Sequence, residues 1–120
     1  LCRDGADPLA TALDRVSLPP ALDEALRPVV AGTLDPDTLR STGYVVDTLQ
    51  TALWHGLHAE SPEAALVDVV NMGGDADTVG AVTGAVVGAR FGADALPARW
   101  LDELDECAEL RSLATRLGAL

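Results

Sequence analysis

Lysine is absent from this chain, cysteine occurs twice, methionine once, and aromatic residues fill only 3% of its 120 positions. Each shortage excludes something. With no lysine, the eight cations are all arginines, set against 19 acidic residues for a formal net charge of -11 at pH 7. Nucleic-acid phosphates and anionic membrane surfaces need clustered positive charge, so neither is an expected partner. Divalent cations, by contrast, would be welcome. Cys2 and Cys107 lie far apart and form no CxxC pair, which leaves no zinc or redox motif and makes a reducing cytoplasm the default location. The longest uncharged run, Thr78 to Ala89, is glycine-rich and well short of the roughly 20 apolar residues a membrane helix requires. No basic segment followed by an apolar one opens the chain, and its single methionine is Met72. We expect one part of a longer polypeptide or a processed product. Arginine-only basic usage with abundant Ala, Leu and Asp points to a GC-rich bacterial source.

What is present is helical patterning. Leu9, Leu13 and Val16 share a face, and "SLPPALDEALRPVVAG" restarts a helix after Pro19 and Pro20 that ends near Gly32. "TLDPDTLRSTGY" reads as a loop. The stripe Val45, Leu49, Ala52, Leu53, Leu57 runs at helical spacing to about His58. Ser61 and Pro62 supply a cap and a favoured first helical residue for "EAALVDVVNM". After Gly92, "LPARWLDEL" and "DECAELRSLATRL" are both amphipathic. Apart from the ambiguous "LVDVV", nothing alternates with period two, so the expected fold class is all-α. Gly80, Gly84 and Gly88 share one face of the helix after Asp77. Glycine in a helix interior costs about 1 kcal/mol against alanine, so close approach of another helix backbone is the expected reason, with this helix central and buried.

The chemistry-bearing stretch is "NMGGDADTVG". Aspartate is a good N-cap, and an acidic first turn suits the helix dipole, which is one account of Asp75 and Asp77. The other account is a metal site. Residues i and i+2 of a regular helix point about 200° apart, but Gly73 and Gly74 can adopt backbone angles closed to other residues. Asp75 could then fold back at the cap while Asp77 and Thr78 project from the first turn. Two carboxylates and a hydroxyl form a hard oxygen set suited to Mg²⁺ or Mn²⁺. An EF-hand fails, because its fifth and twelfth positions would be Val79 and Val86. "DADTV" fits a haloacid-dehalogenase-type phosphatase locally, with Asp75 as nucleophile and Asp77 as acid/base. That motif needs a strand running directly into its first Asp, and here two glycines intervene.

"VNMGGDADTVGAVTGAVVGARFG", with "STGYVVDTLQTALW" upstream and the helix between them, resembles the C-terminal part of the ADP-ribosylglycohydrolase family, relatives of the dinitrogenase-reductase-activating glycohydrolase. The likeness covers about residues 40 to 100. It implies an all-α, orthogonal helical bundle around two Mg²⁺ or Mn²⁺ ions, with Asp75, Asp77 and Thr78 as ligands from a "GGDxDT" motif. Ala76 stands where threonine is frequent in the family. A Thr-Asp-Asp cluster, an early acidic residue and glycine-rich diphosphate loops would belong to an N-terminal half that this chain lacks. Residues 1–120 would thus be the C-terminal part of a single domain, needing the N-terminal half of the same enzyme or a complementary chain. The implied activity is hydrolysis that removes ADP-ribose from a modified protein or small molecule. The competing class is a non-catalytic ADP-ribose-binding or interaction relative.

In that family the tyrosine matching Tyr44 lies near bound ADP-ribose, so Tyr44 is a substrate-binding candidate; local packing at a helix start is the alternative. Ser41 and Thr42 would contact ligand or cap the helix, and Asp47 reads as a first-turn carboxylate supporting the dipole. His55 and His58 lack a third ligand and read as exposed late-helix residues. Trp54 and Trp100 fall on apolar stripes as core or partner-facing residues, and Cys107 reads as core.

Overall fold

The computed structural model describes residues 8–120, and every regular element among them is helical. The reading of Cys2 lies outside the described residues. The helices are α1 (Pro8–Arg15), α2 (Pro20–Ala31), α3 (Val45–His58), α4 (Pro62–Asn71), α5 (Ala76–Phe91), α6 (Ala98–Leu101) and α7 (Cys107–Gly118). "LVDVV" is resolved as helix, inside α4. One-turn 3₁₀ segments at Pro36–Thr38 and Ala93–Ala95 interrupt the loops.

The boundaries follow local chemistry. Ser61 caps α4 by accepting the Ala64 N–H at 3.1 Å, with Pro62 in the first turn. Gly32 ends α2 in the left-handed conformation at φ 64°, a common helix stop. Leu13 is buried, whereas Val16 lies past the end of α1 and is exposed. The helix expected in "LPARWLDEL" shrinks to the single turn of α6, because the Asp- and Glu-rich segment after Leu101 forms turns. Cys107 is half-buried, not core.

α5 is central: it packs against both α3 and α4, while α2 lies on α3 and α1 on α2. Ala52, Val69 and Val79, one from each of α3, α4 and α5, form the fully buried cluster, with Val82 against it. Burial on α5 is confined to the Val79, Thr83, Val87 face; Ala81, Ala85 and Ala89 are exposed, so the expected all-round burial does not hold for this chain. Arg90 fastens the far end of α5 by donating to the carbonyls of Ala59 (2.8 Å) and Gly56 (3.1 Å) at the end of α3. These carbonyls are among those a helix terminus leaves without intrahelical partners.

Among the described residues the expected close approach at Gly80, Gly84 and Gly88 is absent. A Cβ at Gly80 would meet Val70 Cγ2 at 3.8 Å and one at Gly84 would meet Leu66 Cδ2 at 3.9 Å, both ordinary contacts, and Gly88 has nothing within 4 Å. The tight crossing is at Gly56 of α3, where a Cβ would overlap Val86 Cγ1 and stand 2.8 Å from its Cβ. Gly56→Ala is therefore expected to destabilise the protein by about 1 to 3 kcal/mol through overpacking. Val86→Ala in the same chain should recover part of that loss, and Gly84→Ala should be tolerated. Urea denaturation of wild type and these three variants checks this. Equal losses at Gly56 and Gly84 would mean that α3 and α5 do not touch at Gly56.

Candidate metal centre

The two quoted motifs meet. Gly73 and Gly74, at φ 70° and 62°, both lie in the left-handed region and turn the chain from α4 into α5. That turn lays Gly74 against the loop before α3: the Asp75 N–H donates to the Ser41 carbonyl at 3.2 Å. A Cβ on Gly74 would overlap the same oxygen, so only glycine lets these two backbones come together. On the other side a Cβ on Gly43 would stand 3.2 Å from Asp75 Oδ2. The Asp75 carboxylate thus sits directly over the Ser41–Gly43 loop.

Asp75 occupies the N-cap position of α5, but its side chain accepts no hydrogen bond from the helix backbone. Oδ1 accepts instead from the Thr78 hydroxyl at 3.0 Å. The Asp77 carboxyl is held below the usual aspartate range, first by the neighbouring Asp75 side chain and then by the N–H groups of Thr78 and Asp77. Asp75 and Thr78 are bonded directly, and Asp77 follows in the same first turn of α5. Asp77 and Thr78 are exposed and Asp75 is half-buried. Among the described residues neither aspartate forms an ion pair with arginine. Nor does any group of three or more His, Cys, Asp or Glu side chains there gather closely enough to hold a metal ion; this cluster brings two carboxylates and one hydroxyl.

Tyr44 is the N-cap residue of α3 and is 57% exposed. It is not packed away. Neither Ser41 nor Thr42 caps α3; Thr42, two residues before the N-cap, accepts the Tyr44 N–H on Oγ1 at 3.2 Å in a local turn. The Ser41 Oγ is a buried polar atom without a hydrogen-bond partner among the described residues, a rare condition in folded proteins. Asp47 does more than face the helix dipole, since its Oδ2 accepts from Thr42 Oγ1 at 2.8 Å. The signal for this pair was the spacing T-x-Y-x-x-D, an acidic third helical residue reaching back as in a capping box, here to a threonine two residues before the N-cap.

The histidines are elsewhere. His58 is exposed, stacks on Trp54 with ring centroids 4.0 Å apart and places Nδ1 2.9 Å from the Trp54 carbonyl oxygen. His55 is half-buried, contrary to the expected exposure, and burial lowers its pKa against an opposing effect of Asp68. An apolar groove of about 280 Å³, lined by Leu66, Val67, Val70, Asn71 and Trp100, shares no residue with the acidic cluster. No described helix is long and apolar enough to cross a membrane.

An all-helical chain with a Gly-Gly-Asp-x-Asp-Thr turn seated on a Ser-Thr-Gly-Tyr loop is of the kind suggested by the motif pair, and comparison with known proteins agrees. The family model described as ADP-ribosylglycohydrolase matches residues 2–120. The chain belongs to the ADP-ribosylglycohydrolase family. An ADP-ribosylarginine hydrolase of Serratia proteamaculans is 40% identical over 81 residues, 68% of this chain and 22% of that protein. The ADP-ribosyl-(dinitrogen reductase) glycohydrolase of Rhodospirillum rubrum is 40% identical over 86 residues, 72% of this chain and 29% of its own length. An uncharacterized protein of Archaeoglobus fulgidus is 38% identical over 75 residues, 62% of this chain and 24% of that protein. The chain therefore spans about a quarter of the length of these relatives. No solved structure matches it.

Proposed function

We propose that this chain supplies part of the metal and substrate site of a hydrolase that releases ADP-ribose from a modified protein or small molecule. Family membership supports the class of reaction, and the names of two relatives specify ADP-ribosylarginine and ADP-ribosylated dinitrogen reductase. The observation that carries the site is Asp75, an aspartate in N-cap position whose carboxylate caps no backbone N–H of the helix and is turned to the Thr78 hydroxyl. Two carboxylates at the start of one helix, with no arginine paired to them among the described residues, are a donor set for a hard dication.

Asp75, Asp77 and Thr78 would hold part of a two-ion Mg²⁺ or Mn²⁺ centre, the remaining ligands coming from the N-terminal half of the enzyme or a complementary chain. When bound, the ions supply charge to orient ribose hydroxyls and water and to stabilise charge that develops as the anomeric bond breaks. This chain's residues fix the oxygens in place. Gly73 and Gly74 aim the carboxylates, and the Ser41 carbonyl anchors Asp75 through its N–H. Ser41 and Tyr44 belong to the loop on which Asp75 is seated, and their side chains would be groups to bind and orient ADP-ribose.

The test is release of ADP-ribose from an ADP-ribosylated arginine protein by the full-length enzyme with Mn²⁺. Binding without release would favour the non-catalytic relative, and neither would remove the proposal. In the same protein Tyr44→Ala is expected to weaken ADP-ribose binding by about 1 to 3 kcal/mol, the usual value of aromatic stacking on a base. Stability should not change, because the ring is exposed. Calorimetric titration giving equal affinities would assign Tyr44 to the surface alone.

A further inference from the structure

The loop beneath Asp75 is built as a rigid strut. Two threonines of α3, Thr48 at 7% exposure and Thr51 at 0%, point hydroxyls back along it. Thr51 Oγ1 donates to the Arg40 carbonyl at 2.8 Å and Thr48 Oγ1 to the Thr42 carbonyl at 2.9 Å. Thr42 closes the device from the loop side: its hydroxyl donates to Asp47 Oδ2 at 2.8 Å and accepts the Tyr44 N–H at 3.2 Å. Three of these four bonds fix the loop to α3, and the fourth, from the Tyr44 N–H to Thr42, stiffens the loop itself. Between the anchored positions lie Ser41, whose carbonyl takes the Asp75 N–H, and Gly43, whose Cα side faces Asp75 Oδ2. A shift of the loop is therefore a shift of Asp75.

We infer that Thr42, oriented by Asp47, is a positioning residue for the acidic site, holding the loop that sets the Asp75 carboxylate and tying it to Tyr44. The inference rests on the proposed metal reading for its consequence in binding but not for its consequence in backbone order. Thr42 uses both capacities of its hydroxyl, one as donor and one as acceptor, so an isosteric valine loses both while serine keeps both. Thr48 and Thr51 still anchor the carbonyls of residues 42 and 40 in either variant, which preserves the fold and confines the loss to the segment facing Asp75.

The experiment compares Thr42→Val and Thr42→Ser with wild type in the full-length protein. Hydrogen exchange is followed in peptides covering residues 40–46 and 73–79 without metal, and Mn²⁺ alone is then titrated calorimetrically. Thr42→Val should speed exchange in both peptides and raise the Mn²⁺ dissociation constant about tenfold, the scale of one well-placed hydrogen bond. Thr42→Ser should keep wild-type values in both measurements. A merely structural threonine would give a lowered melting temperature with unchanged exchange at 73–79, and that result overturns the inference, as does failure of serine to rescue. If Thr42→Val does not fold, Asp47→Ala paired with Asp47→Asn asks the same question from the other end of the bond, with Asn retaining an acceptor. If the wild type binds no Mn²⁺, the metal reading fails, and exchange at 73–79 still decides for or against the positioning role.

Discussion

Gly74→Ala is expected to destabilise the protein by about 3 kcal/mol and to disorder the start of α5. A non-glycine residue in the left-handed region costs roughly 1 to 2 kcal/mol, and Gly74 stands at φ 62°. The new Cβ would also overlap the carbonyl oxygen of Ser41, a backbone atom that cannot swing aside as a side chain would. Relief requires the two segments to part, which breaks the Asp75 N–H bond to the same oxygen at about 1 kcal/mol more. Gly73→Ala is the matched control. It has φ 70° with nothing within 4 Å of its Cβ position, so only the conformational cost of about 1 to 2 kcal/mol applies. Chemical denaturation of both variants separates the two contributions. Equal losses would show that the α5 turn and the Ser41 loop are not held in contact.

That contrast marks what was legible in the sequence. Two adjacent glycines before an acidic pair announced a turn with unusual backbone angles, because few other uses of Gly-Gly at a helix boundary exist. The helices α2 to α5 were legible for the same reason: caps, breakers and apolar spacing are local, and each is written in consecutive residues. Contacts between helices are not. The Gly80, Gly84, Gly88 register on α5 correctly shares a face, but nothing in the chain says that this face meets the side chains of Leu66 and Val70. The backbone-close crossing falls on Gly56, a lone glycine without a pattern, because its partner Val86 is fixed only by how α3 and α5 come together.

The same limit explains the loop. Tyr44, Ser41 and Asp75 stood out as candidates for binding, but the bond from Thr42 to Asp47 looked like ordinary helix-start chemistry. Its importance comes from the long-range fact that Ser41 and Gly43 touch Asp75, a contact across 34 and 32 positions. The oxygen cluster itself was foreseeable as a set of residues. Its internal bond, from Thr78 to Asp75, needed the turn geometry.

The largest expected effect belongs to the aspartates. If they serve only the helix, Asp75→Asn should be silent, because Asp75 makes no cap bond to lose, and Asp77→Asn should cost about a few tenths to 1 kcal/mol through the helix dipole. As ligands they behave differently. Each substitution removes a full negative charge from a dication site, so affinity for Mn²⁺ and release of ADP-ribose should both collapse while the helical fold persists. A bound ion stabilises the native state by about 2.7 kcal/mol at a concentration one hundred times its dissociation constant, and that increment exists only where the site does. Thermal unfolding of full-length wild type, Asp75→Asn and Asp77→Asn with and without Mn²⁺ should therefore show a metal-induced rise in Tm for wild type and almost none for either variant. Circular dichroism should record equal helicity in all three. Equal rises in the variants would return Asp75 and Asp77 to the helix as ordinary first-turn residues, because a true ligand cannot surrender its charge and leave the ion's contribution intact.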